Sequence, residues 1–124
     1  MRSIARGVIV LAGVVLAGVV LPAVASGQER LPSFKDEFLG QFNASMEKLI
    51  ALAEAMPAEK FAWAPGAGVM PVGHVYSHIA HYNYGYPTQN LGVGVPAGVK
   101  LDTLEQVRDK AGVVALLKQS RDFV

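Results

Sequence analysis

Apolar residues recur every three or four positions as Phe34, Phe38, Phe42, Met46, Leu49, Ala53 and Met56. That spacing lines one face of an α-helix about six turns long and predicts a first helix over residues 34–56. Ser33 with Asp36 three residues later makes a capping-box-like start, and Asp36 and Glu37 place negative charge at the positive end of the helix dipole. Pro57 ends the stripe, because its ring removes an amide donor and disfavours helix in the residue before it. The stretch from Pro57 to Pro65 reads as a turn or a single helical turn, with Phe61 and Trp63 as packing residues beneath the loop that follows.

A second helical pattern opens at Pro71, which suits the first position of a helix, and runs to about Tyr86. Pro87 either ends it or kinks a last turn reaching Leu91. The glycine-spaced segment Gly92 to Gly98 has no helical period. It lacks the Gly-Lys-Ser/Thr end of a phosphate loop, so it reads as a connector. Asp102 or Thr103 can cap a brief turn through Leu104 to Val107. Asp109 then caps a third amphipathic helix, which presents Val113, Leu116, Leu117 and Val124 on one face. No strand-like alternation of useful length occurs, and the fold class is all-α. The third pattern runs to Val124 without a stop signal, so the expected architecture is an up-down bundle with three of four helices present. Closure of the three helices alone, or pairing of two chains, would also cover the apolar stripes.

The first 25 residues stand apart from this pattern. Arg2 and Arg6 precede an uncharged apolar run from Val8 to Ala25 that closes on Ala23-Val24-Ala25. A basic start, an apolar middle and small residues before a polar segment are the features of a cleavable secretory signal, with the cut after Ala25. The domain plan is then a signal peptide over 1–25, a linker over 26–32 and a helical domain over 33–124. The expected location is exported, periplasmic or extracellular, with no stable membrane span after cleavage. An uncleaved anchor is the alternative, since the apolar run is near the lower limit for crossing a bilayer.

The 124 residues carry 11 Lys+Arg and 10 Asp+Glu. Loss of Arg2 and Arg6 turns the small positive balance into a small negative one, with charges scattered singly. Nothing in that distribution attracts nucleic acid. The absence of cysteine excludes disulfides, thiolate nucleophiles, cysteine-ligated metals and lipid acylation of the leader. Ser45, Ser77 and Ser120 have no base arrangement legible in the sequence, which leaves a serine hydrolase unsupported.

All three histidines, His74, His78 and His81, fall on one face of the second helix at offsets of four and three. Neutral imidazole is a ligand for zinc, nickel, copper or iron, and an i, i+4 pair can share one ion. The outer two lie about 10 Å apart along the axis, so a complete site needs a ligand from another element. The simpler reading is three hydrogen-bonded histidines at the edge of the core. A zinc peptidase is unsupported, because Val75 rather than Glu follows His74. Tyr82, the tyrosine nearest this face, reads as a buried and hydrogen-bonded residue, and Asn83 as a hydrogen-bonding group within the bundle.

The segment Leu52-Ala53 through Pro57, Phe61, Trp63 and Pro65, followed by Val72-Gly73-His74-Val75 and His78-Ile79, resembles the DinB-like family of four-helix bundles. The run from Lys110 through Leu117 to Ser120 resembles that family's third helix. The resemblance implies a divalent metal, zinc or nickel foremost, at the bundle centre. One ligand would come from the second helix at His78, and an His-x-x-x-His pair would come from the last helix. His74 and His81 become accessory groups. The His-x-x-x-His pair has no counterpart in this sequence, so the metal is expected to be held loosely by this chain. Relatives include thiol-dependent transferases and isomerases, which implies metal-dependent hydrolysis or thiol transfer on a small-molecule substrate. A non-enzymatic extracytoplasmic module, with a homodimer as its expected partner state, is the other reading.

Overall fold

The computed structural model describes residue 31 and residues 33–124; the proposed signal peptide and most of the linker lie outside them. Among the described residues the protein is all-helical, with no strand. The long helices are α1 (Phe34–Ala55), α2 (Val72–Leu91) and α4 (Lys110–Phe123). A 3-10 turn spans Ala58–Ala62, and the single-turn α3 spans Leu101–Leu104. No helix among the described residues is long and apolar enough to cross a membrane.

The helix starts follow the predicted chemistry at two of three long elements. Ser33 Oγ accepts the amide of Asp36 at 3.2 Å and donates to its carboxylate at 2.7 Å, which fixes the first turn of α1. Asp109 Oδ1 accepts the amide of Gly112 at 2.9 Å and opens α4. Pro71 instead stands just outside α2 as its N-cap, in an extended conformation and without a side-chain cap. Pro87 is accommodated inside α2, which continues for one more turn to Leu91. Gly92, at φ 68°, then closes the helix in the left-handed conformation that favours glycine. The short turn after Gly98 begins earlier than its sequence implies. Neither Asp102 nor Thr103 caps it; both lie within α3, and Thr103 Oγ1 donates back to the Lys100 carbonyl at 3.1 Å.

The core forms where α4 packs on α1 and α2, with the 3-10 turn and α3 closing against α2. Met46, Ile50 and Ala53 of α1 meet Tyr76, Ala80 and Tyr84 of α2 and Val113, Leu116 and Leu117 of α4. Phe61 and Leu104 seal the two shorter elements onto this core. Polar groups between α2 and α4 are paired: Asn83 donates to Ser120 Oγ at 3.0 Å, and that hydroxyl donates to the Leu117 carbonyl at 3.1 Å, whereas the buried Thr88 Oγ1 has no hydrogen-bond partner among the described residues. Lys110 reaches across to the end of α1 and donates to the carbonyls of Glu54 and Met56 at 2.7 and 2.8 Å. It thereby satisfies acceptors that a helix leaves open at its C-terminus.

Two further expectations need correction. The stripe of α1 is buried only over its C-terminal half: Phe34 is 89 % exposed and Phe38 50 %, because no element among the described residues covers them. Trp63 is also 57 % exposed and is not a packing residue beneath the loop, a role that Phe61 fills alone. The exposed stretch of α1 continues into an apolar groove of about 510 Å³ that includes Phe42, Tyr86, Leu91 and Phe123.

Candidate metal-ligating histidine cluster

Gly73 determines how close the connection before α4 can come to α2. A Cβ at this position would collide with the carbonyl oxygen of Arg108 and stand 3.0 Å from its carbonyl carbon. Only a residue without a side chain allows that approach. The approach, together with buried Leu104, holds the α3 turn against the histidine-bearing face of α2. Arg108 Nε donates to the Glu105 carbonyl at 3.2 Å, bracing the same turn from outside.

All three imidazoles meet this turn. His74 Nε2 lies 2.9 Å from Glu105 Oε2, and His78 Nδ1 lies 2.8 Å from Glu105 Oε1. His81 Nδ1 lies 3.0 Å from the carbonyl oxygen of Leu101 and 3.8 Å from Glu105 Oε1. Hydrogen bonds from His74 and His78 hold the Glu105 carboxyl below its ordinary value of 4.5, against a smaller opposing effect of burial. It is therefore a carboxylate at neutral pH and accepts only.

These partners dictate which ring nitrogens carry protons. A carbonyl or carboxylate oxygen cannot donate, so the nitrogen facing it must. In their neutral forms His78 and His81 are protonated on Nδ1 and present the lone pair of Nε2. His74 is protonated on Nε2 and presents Nδ1.

The rings also pack against one another. His74 meets His78 edge-on at 6.4 Å between centroids, and Tyr82 lies 4.8 Å from His78 and 5.2 Å from His81. Tyr82 is exposed rather than buried and stacks onward against Tyr86 at 5.0 Å, so its packing with the histidines is aromatic. His78 is the most open of the three, with 36 % of its side chain accessible against 18 % for His74 and 25 % for His81. Ser77, beside His78 in sequence, is fully buried and donates to the His74 carbonyl one turn back at 3.0 Å, an intrahelical bond that satisfies its buried hydroxyl.

The three histidines predicted to share a face do so, and the structure brings His74 and His78 to a residue the sequence pattern does not single out, Glu105. Glu105 was missed because it sits in a connector without a motif. A usable signal was present nonetheless. Three imidazoles at the edge of a core each need an acceptor for an N–H, and that need points to a carboxylate or free carbonyl near by.

The donor types fit a divalent ion, since imidazole nitrogens with free lone pairs are what zinc and nickel take. Among the described residues, however, no group of three His, Asp or Glu side chains is arranged around one point for an ion. The reason is visible in the distances: the Glu105 oxygens take direct hydrogen bonds from the rings. Glu105 thus stands behind the imidazoles as their hydrogen-bond acceptor, as a carboxylate does in carboxylate–histidine–metal arrangements.

Comparison with curated proteins and with solved structures returns no significant match. A family comparison matches the DinB superfamily over residues 41–124, a span that takes in the C-terminal half of α1, the histidine face of α2, the α3 turn and all of α4. With most of its length matched, the chain belongs to the DinB superfamily.

Proposed function

We propose that this chain is an exported metal-binding helical protein that holds a divalent cation, zinc or nickel, through His78, with His74 and His81 in accessory positions. The observation that carries this reading is the hydrogen bond from His78 Nδ1 to Glu105. It occupies one ring nitrogen with a carboxylate and leaves Nε2 free on the most accessible ring of the cluster. Glu105 orients the ring and increases the electron density at its free nitrogen, while buried Ser77 and Ala80 anchor the backbone on either side of His78.

A divalent ion bound there would supply Lewis acidity to a water or thiol nucleophile acting on a small-molecule substrate. The part of this chain is to present nitrogen lone pairs from a rigid helix. Export rests on the basic, apolar and small-residue order of residues 1–25. Intact mass of the protein recovered outside the cytoplasm checks it, with loss of residues 1–25 as the expected result.

The metal reading is tested by calorimetric titration of zinc and nickel into the purified full chain and its His78→Ala variant. Binding in the parent that weakens strongly in the variant supports it. Equal stoichiometric binding in both would remove His78 from the site. No binding in either would favour a non-enzymatic helical module.

A further inference from the structure

The cluster contains a division of labour that neither the three histidines nor the family match specifies. One turn of chain, Leu101 to Glu105, supplies every acceptor that the three imidazoles use: the Leu101 carbonyl for His81, and the two oxygens of Glu105 for His74 and His78. Because these oxygens only accept, the turn acts as a template for where each ring keeps its proton.

We infer that Glu105 is a positioning residue that locks His78 in the Nδ1–H tautomer, so that Nε2 is the nitrogen offered to a cation. Free imidazole side chains in water favour the opposite, Nε2–H form. The lock therefore works against the solution preference at His78, whereas at His74 the bond to Glu105 coincides with it. His81 also holds the Nδ1–H form, but through a backbone carbonyl that no side-chain substitution removes. The three rings thus respond differently to the loss of one carboxylate.

The functional meaning of the lock rests on the metal reading above, but its test does not need a metal. Long-range proton–nitrogen correlation spectra of the metal-free full chain, in alkaline buffer where imidazoles are neutral, report the tautomer of each ring. The expected wild-type pattern is Nδ1–H for His78 and His81 and Nε2–H for His74. In Glu105→Ala, His78 reverts to the Nε2–H form while His81 is unchanged, which shows that the α3 turn is still docked. In Glu105→Gln the side-chain carbonyl keeps one acceptor, and His78 shows a mixture of forms.

A wild-type His78 in the Nε2–H form, or a His78 that stays Nδ1–H in Glu105→Ala, would overturn the inference. If Glu105→Ala loses its folded spectrum, the wild-type assignment and Glu105→Gln decide the matter. Where zinc or nickel binds, Glu105→Ala should weaken it by about 10–100-fold, the range for residues that orient a ligating histidine. The expected tautomers without any metal binding would refute the proposed function and leave the positioning role intact. Metal binding with tautomers indifferent to Glu105 would do the reverse.

Discussion

Gly73→Ala is the substitution that separates the helix from the site it supports. In a helix interior the change from glycine to alanine ordinarily stabilises by about 1 kcal/mol, because alanine has less backbone freedom to lose. At Gly73, the second residue of α2, the gain is at most that large and is opposed by a collision between the new Cβ and the Arg108 carbonyl. The obstructing atoms are backbone, so no rotamer change relieves the overlap and the α3 turn must move off α2. Overpacking of this kind costs about 1–3 kcal/mol. Displacing the turn also weakens the partly buried pairs from His74 and His78 to Glu105, at about 0.5–1 kcal/mol each after screening by solvent. The net expectation is a destabilisation of about 1–4 kcal/mol, or a fall in Tm on the order of 10 °C for a domain of this size. Gly85→Ala is the internal control. It lies on the same helix and is also buried, but its nearest neighbour is a Gln89 side-chain atom at 3.9 Å. That variant should be neutral or more stable by up to about 1 kcal/mol. Urea unfolding followed by circular dichroism measures both. A Gly73→Ala protein as stable as its parent would refute the close approach that positions the site.

Leu117→Ala should destabilise by about 2–5 kcal/mol, since Leu117 is completely buried between α4 and its partners, and the same urea titration reads it. Lys110→Met keeps the aliphatic stem but removes the bonds to the Glu54 and Met56 carbonyls; a loss of about 1 kcal/mol is expected, with amide exchange accelerated in the last turn of α1. The pH dependence has a defined sign at Glu105. Its folded value is lowered, so the stabilisation is fully present above the ordinary 4.5 and is lost as pH falls through the lower folded value. Unfolding midpoints collected across that acid range should fall more steeply in the parent than in Glu105→Gln, and parallel profiles would contradict the ionised hydrogen bonds described above.

The helices were legible because their signals are local. Ser33 and Asp109 declare two helix starts through side chains that reach amides three residues away, and the repeat from Met46 to Ala53 marks a face that is indeed buried. The same repeat over Phe34 and Phe38 looks no different in sequence, yet those residues are open. Periodicity shows which face is apolar and does not say what covers it. The histidine trio was legible as a face for the same local reason. Its partner was not, because Glu105 lies 24 residues or more from each ring and depends on the docking of a turn whose own sequence signals were misleading. Gly73 stood in the sequence as part of a family pattern, but its physical purpose emerges only when the Arg108 carbonyl is seen against it.

The element that organises the cluster is also the one with the least stability of its own. A four-residue helix without a side-chain cap cannot persist through its internal hydrogen bonds. The α3 turn is held instead by Leu104 in the core, by the tolerance of Gly73 for close contact, and by the ring hydrogen bonds themselves. Leu104→Ala removes the apolar anchor while leaving every polar partner in place. Leu104 is the least deeply buried member of the core, at 8 % exposure, which puts the expected loss toward the lower end of the large-to-small range, about 2 kcal/mol. That loss should fall on the turn before it falls on the helices. Native-state amide exchange should accelerate from Leu101 to Val107 while the central amides of α2 and α4 keep their protection. Uniform acceleration across all three elements would mean that α3 unfolds only with the whole domain. In that case the orientation of the histidines would be as robust as the core itself.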